Sequence, residues 1–185
     1  MDRAAAFALL KEHAKSEALV RHGLAVEACM RAYARKLHGD EELWGIVGLI
    51  HDFDWDLCTN PQDHPHVGAR LLQERGYPDV IVRAVLSHGD HTGTPRESLM
   101  EHALFAVDEL SGFVTAVALV RPNKALSDTN AQAVRKKMKD KAFARSVSRE
   151  AIVQGAQELG VDLDQHIGFV IEALKPMAAE LGLQP

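Results

Sequence analysis

Five side chains, His22, the adjacent pair His51-Asp52, His88 and Asp108, follow one another in the order His, His-Asp, His, Asp. Imidazole and carboxylate together suit Fe, Mn, Ni, Zn or Co rather than calcium, which favours an all-oxygen shell. His51 and Asp52 are neighbours, and on a regular helix adjacent side chains diverge by about 100°. They can turn toward one centre where a helix ends and the chain leaves into a loop. The apolar run Trp44-Gly45-Ile46-Val47-Gly48-Leu49-Ile50 ahead of them reads as a buried helix that ends there. His22 would come from a preceding helix and Asp108 from a later one. An aspartate set among Phe105, Ala106, Val107 and Leu110 needs a partner if buried, because an unpaired carboxylate is costly there. A metal ion would supply one.

Helical periodicity dominates the elements that must carry these residues, and no alternating strand pattern is evident. Helices are expected over about residues 4–15, 17–37 and 40–51, with Asp40 as a plausible N-cap. Residues 52–63 read as a loop. Pro65 can open a helix that stops at Gly76, and Pro78 another that ends near His88. Gly89 to Thr94 is turn-rich. Thr94-Pro95-Arg96-Glu97 reads as a helix start with a capping box, leading through Asp108 to Val120, with Gly112 a candidate bend. Further helices fill about 128–140, 148–159 and 164–182. The fold class is all-α, a single domain over residues 1–185, with a metal-binding core at about 17–120 and a C-terminal helical extension at 121–185.

Composition is that of a globular protein, with 46% apolar and 25% charged residues. The formal net charge of −5 gives no support for binding duplex nucleic acid. Two isolated cysteines, Cys29 and Cys58, fit a reduced compartment and a cytoplasmic location. No signal peptide is read at the N-terminus. The uninterrupted apolar runs, such as Phe113 to Val120, are too short to span a bilayer, so no membrane association is expected. Ala/Leu-rich helical faces allow a homodimer.

The ordered pattern, in the contexts GLIHDFDWD, HPHVGARLL, AVLSHGDHTG and HALFAVDEL, resembles the HD superfamily of metal-dependent phosphohydrolases over about residues 20–112. The resemblance implies a helical bundle in which His22, His51, Asp52 and Asp108 are the core ligands. The segment with His66 and His88 is similar to small members that hold two ions, among them the symmetrical-diadenosine-tetraphosphate hydrolases. On that match Asp52 bridges the ions and His66 and His88 serve the second. His64, two residues earlier, competes with His66 for the role. Many relatives carry a lysine three residues after the aspartate, where this chain has Trp55. Positive charge for a phosphate must then come from elsewhere, with Arg121 and Lys124 the candidates, and the run Arg135-Lys136-Lys137 with Lys139, Lys141 and Arg145.

The expected chemistry is hydrolysis of a phosphoester in a nucleotide or other small phosphorylated metabolite, with one or two divalent transition-metal ions. Asp52, His88 and His91 are the candidate catalytic groups, the histidines as proton donors to the leaving oxygen. His91 is otherwise a turn residue. Asp54 and Asp56 either orient ligands or shape their loop, and Trp55 either packs or stacks on substrate. His13, His38, His102 and His166 are assigned to surface or core. Two other readings share the fold: a di-iron oxygenase, and a non-catalytic signalling or interaction module.

Overall fold

A computed structural model describes residues 2–184 of the chain. Among them nine α-helices are joined by turns and short 3-10 segments. No strand occurs among the described residues, and one isolated bridge pairs Ala125 with Gln184. The chain is therefore all-α, a helical bundle as its periodicity implies. It forms two compact units, one up to Phe105 and one from Ala106 onward, so the division falls inside a helix.

The first unit holds α1 (Arg3–His13), α2 (Glu17–Leu37), α3 (Glu41–Ile50), α4 (His66–Glu74), α5 (Asp79–Ser87) and the first turns of α6 (Leu99–Leu119). Asp2, Ser16 and Asp40 cap the first three helices with side-chain oxygens that accept amides of the opening turn. α3 is the hub. Every residue from Trp44 to Ile50 is buried, and the helix packs against α1, α2 and α5. A helix apolar on all sides must be surrounded in this way. Each large side chain it buries contributes about 1.5–3 kcal/mol. Gly23 lets α2 approach the end of α3 closely: a Cβ there would lie 2.7 Å from the Leu49 carbonyl oxygen. That contact sits one residue from His22 and two from His51.

The start of α6 departs from the sequence reading. Thr94 to Glu97 precede the helix, and the capping box is Ser98 with Glu101. The Ser98 hydroxyl accepts the Glu101 amide at 3.3 Å, while Glu101 Oε2 accepts the amides of Glu97 at 2.7 Å and Ser98 at 2.8 Å. Arg83 Nε adds an ion pair to the same carboxylate at 2.9 Å. Glu101 is buried and meets two amides and a guanidinium, so the later box prevails over the earlier one. No break occurs at Gly112, and α6 runs 21 residues. It is thus long and apolar enough to cross a bilayer, with a mean hydropathy of 1.4 over its most apolar window. Glu101, Asp108 and Glu109 interrupt its apolar runs but not the helix. Of that window 61% is buried inside the protein, the property of a core helix.

The second unit contains the rest of α6, then α7 (Ala131–Met138), α8 (Arg149–Glu158) and α9 (Leu163–Leu174). α9 packs on α7 and α8, and Leu110, Phe113, Val134, Ile152, Ile167, Val170 and Leu174 are fully enclosed or nearly so. His166 is a satisfied core histidine whose Nε2 donates to the Ala106 carbonyl at 2.9 Å. α9 stops at Leu174 rather than continuing to 182. Pro176 lacks the amide a continuing helix needs, and a 3-10 turn over Lys175–Met177 replaces it.

Candidate metal centre

Two histidines at helix ends are built the same way. His51 caps α3 and His88 caps α5. Each turns its Nδ1 back to the carbonyl three residues earlier, His51 to Gly48 at 2.8 Å and His88 to Val85 at 2.5 Å. The last carbonyls of a helix lack intrahelical donors, and these rings supply them. The consequence is chemical. An imidazole whose Nδ1–H donates to a carbonyl presents a lone pair at Nε2, the form a metal ligand requires.

His64 reaches the same state by another route. It lies in extended backbone before Pro65, and its Nδ1 donates to Asp54 Oδ1 at 2.8 Å. Asp54 is fully buried, and its other oxygen accepts the Gly68 amide in the first turn of α4 at 2.7 Å. Pro65 has no side-chain cap to offer that helix, so the Asp54 carboxylate takes the role from a distant loop. Gly68 is required for it: a Cβ there would fall 2.8 Å from Asp54 Cγ. His91 fixes the backbone at the same point, donating from Nε2 to the His64 carbonyl at 2.6 Å.

These devices aim four imidazoles at one carboxylate. Asp52 Oδ1 lies 3.3 Å from His51 Nε2, 3.1 Å from His64 Nε2 and 3.2 Å from His88 Nε2. Its Oδ2 lies 3.4 Å from His22 Nε2. The rings also face one another, with 3.2 Å between the Nε2 atoms of His22 and His51 and 3.1 Å between those of His64 and His88. His64 and His88 both commit Nδ1–H elsewhere, so in their neutral forms two lone pairs meet at that distance. Only a cation or a proton between them relieves the repulsion. Ligands about 2.0 Å from a tetrahedral ion stand roughly 3.3 Å apart, so the spacing fits a metal. His22 and His51 with Asp52 form one group of donors, and Asp52 with His64 and His88 another.

The electrostatics agree with that fit. Burial alone would raise the Asp52 carboxyl. The His51 charge and hydrogen bonds from His22, His51 and His64 outweigh it and hold the group well below the usual carboxylate range. Burial alone would lower His64. Hydrogen bonds to Asp52 and Asp54, and the charge of both, push it up to about 9. The cluster is thus a negative centre that retains a proton when nothing else supplies positive charge.

The structure brings His22, His51, Asp52 and His88 together, and it is His64 rather than His66 that stands beside them. His66 is the first residue of α4 and is exposed, its ring centroid 6.1 Å from that of His91. A helix-opening residue after Pro65 is carried to the solvent side, whereas the extended residue before Pro65 points back to Asp54. The signal for His64 was present in the paired aspartates Asp52 and Asp54, one to meet each ring nitrogen. Asp56 instead shapes the loop, accepting the amides of Lys15 at 2.7 Å and Ser16 at 3.2 Å. Trp55 is half exposed, with its ring centroid 4.9 Å from that of His64 and the two rings edge to face.

In the second unit, Asp108 is half-buried on α6, with its carbonyl accepting the Ser111 hydroxyl at 2.9 Å. Arg121 follows α6 and lines a pocket with residues of α7. Lys124 is exposed beyond that pocket's lining. Lys137 turns the other way, with Nζ 4.6 Å from the Phe143 ring centre and 3.7 Å from Asp140.

No solved structure gives a significant match to the chain. The His-Asp pair at the end of a buried helix, with a histidine on the helix packed beside it, nevertheless has a counterpart in sequence space. The family model named for that pair, the HD domain, matches residues 19–149 of 185, and the chain belongs to the HD-domain family.

Proposed function

We propose that the protein is a metal-dependent phosphohydrolase acting on a small phosphorylated metabolite, with two divalent transition-metal ions (Fe, Mn, Ni, Zn or Co) sharing Asp52. HD domains are largely enzymes of this class and bind divalent metals. The observation that carries the reading is the opposed pair His64 and His88, whose Nε2 lone pairs flank the Asp52 carboxylate. His22 and His51 would hold one ion and His64 and His88 the other, with Asp52 common to both. Asp108 is proposed as a further ligand of the first from the family pattern alone.

Bound there, the ions supply Lewis acidity toward a phosphoryl oxygen and an attacking water. Asp52 meets both histidine pairs, with Oδ1 toward His51, His64 and His88 and Oδ2 toward His22, and so holds the pairs in register. The carbonyls of Gly48 and Val85 and the Asp54 carboxylate keep the rings in the ligating tautomer. His88 acts as a ligand, and His91 becomes a positioning residue, because its Nε2–H is used on the His64 carbonyl. Trp55 stands where many relatives carry a phosphate-binding lysine and offers a ring face to an organic substrate group. The intact donor set supports an enzyme over a binding module. Location in the cytoplasm remains part of the proposal.

Elemental analysis joined to hydrolysis of a generic aryl phosphate tests the reading. Two transition-metal ions per chain and hydrolysis restored to chelated protein by Mn, Ni or Co are expected. A protein that takes up no metal overturns it. Iron content with an oxygen-dependent turnover and no hydrolysis would instead favour the di-iron oxygenase.

A further inference from the structure

The second unit contains a basic pocket that the metal chemistry does not use. Its volume is about 580 Å³, and it is lined by Arg121, Asn130, Gln132, Ala133, Arg135, Lys136 and Lys139. Helical spacing makes it. Gln132, Arg135, Lys136 and Lys139 succeed one another at intervals of three, one and three residues, which places them on one face of α7 and its cap. Lys137, one residue out of phase, leaves for Phe143 and Asp140. Four cationic side chains line the pocket and no carboxylate does. The nearest recorded relief is Asp164, 3.4 Å from Arg135 Nε.

A second observation is independent of the cavity. Arg121 Nε is buried and has no hydrogen-bond partner among the described residues. Buried donors are almost always satisfied, but Nε is closed to solvent, so a ligand meets this guanidinium only through its terminal nitrogens. A guanidinium prefers a phosphate or carboxylate oxygen in its own plane. The volume lies in the range of small-molecule sites and exceeds what a single orthophosphate fills. With a chain charge of −5, a bounded pocket rather than a basic stripe argues against a nucleic-acid strand.

We propose that this pocket binds a small molecule carrying two or more linked phosphates, with Arg121, Arg135, Lys136 and Lys139 offsetting its charge. The site is complete within the second unit and does not depend on the hydrolase reading. Titration calorimetry of the full chain with inorganic pyrophosphate tests it, with ADP, orthophosphate and a single-stranded oligonucleotide as further probes. Asp52→Ala, which lacks the metal centre, is expected to bind one pyrophosphate, with the affinity that wild type shows after chelation of its metal. Binding should weaken by about tenfold or more in Arg121→Gln and in the double variant Lys136→Ala/Lys139→Ala, in keeping with the loss of charged hydrogen bonds. The double variant alters exposed side chains, so it keeps the test valid if Arg121→Gln fails to fold. ADP binding equal to or tighter than pyrophosphate would identify a nucleotide source, and weaker ADP binding an inorganic one. The proposal is overturned by absent pyrophosphate binding, by affinity unchanged in both variants, by loss in Asp52→Ala, or by tighter binding of orthophosphate or the oligonucleotide.

Discussion

The metal cluster of the first unit and the cationic pocket of the second are both polar sites, but they are held by opposite means. In the cluster the imidazoles of His51, His64 and His88 are each bound at both nitrogens, one by a carbonyl or carboxylate and the other by the shared centre at Asp52. In the pocket the cations of α7 are aligned by helical periodicity, and they are exposed residues. The first arrangement fixes direction as well as distance, as coordination requires. The second fixes a field, which is enough to attract phosphate but selects weakly among its shapes.

Substitutions can separate the two. Asp52→Ala should reduce both metal content and hydrolysis to background while pyrophosphate binding persists, which elemental analysis and calorimetry on one preparation would show. His64→Ala should remove one of two ions, whereas His66→Ala should leave content and rate within about twofold of wild type, the range of an exposed side chain outside a site. Equal losses in both would restore His66 as a ligand. Asp54→Asn keeps the shape but weakens the hold on His64, and a fall of roughly 10–100-fold in metal affinity is expected. Competition with a chromogenic chelator measures it. A control outside both regions is Glu101→Gln, expected to cost about 2 kcal/mol at pH 7 in urea unfolding through loss of a charged cap. Burial by itself would raise Glu101. The amides of Glu97 and Ser98 and the charge of Arg83 hold it below its ordinary 4.5. Its contribution is therefore complete above that value and is lost as pH falls through the lowered one, so wild type and variant should converge in acid.

The same contrast explains what could be read before any coordinates. The helices were legible because their apolar faces repeat, and His51-Asp52 was legible because a buried run ends on it. His64 was legible only as a rival of His66, because its place depends on Asp54, 10 residues away and met only in space, and on the hold of the Gly68 amide on that carboxylate. The start of α6 was misplaced by one turn because Thr94-Glu97 and Ser98-Glu101 share a pattern, and burial of Glu101 decided between them. Arg121 was legible as a cation beyond α6. Lys136 and Lys139 were legible only as members of a charge run that also holds Lys137, and the phase of α7 sorts them.

Gly68 has no functional group, yet it behaves as a size filter on the chemistry. Any side chain there would push Asp54 from the head of α4, release the far nitrogen of His64, and let that ring rotate or change tautomer. A screen that scored variants by activity alone would rank this position with the ligands. A screen that scored folding would not, since the helix around it can form without that carboxylate. The gap between the two scores at residue 68 would report how much of the centre's metal affinity comes from holding a ring still rather than from possessing it.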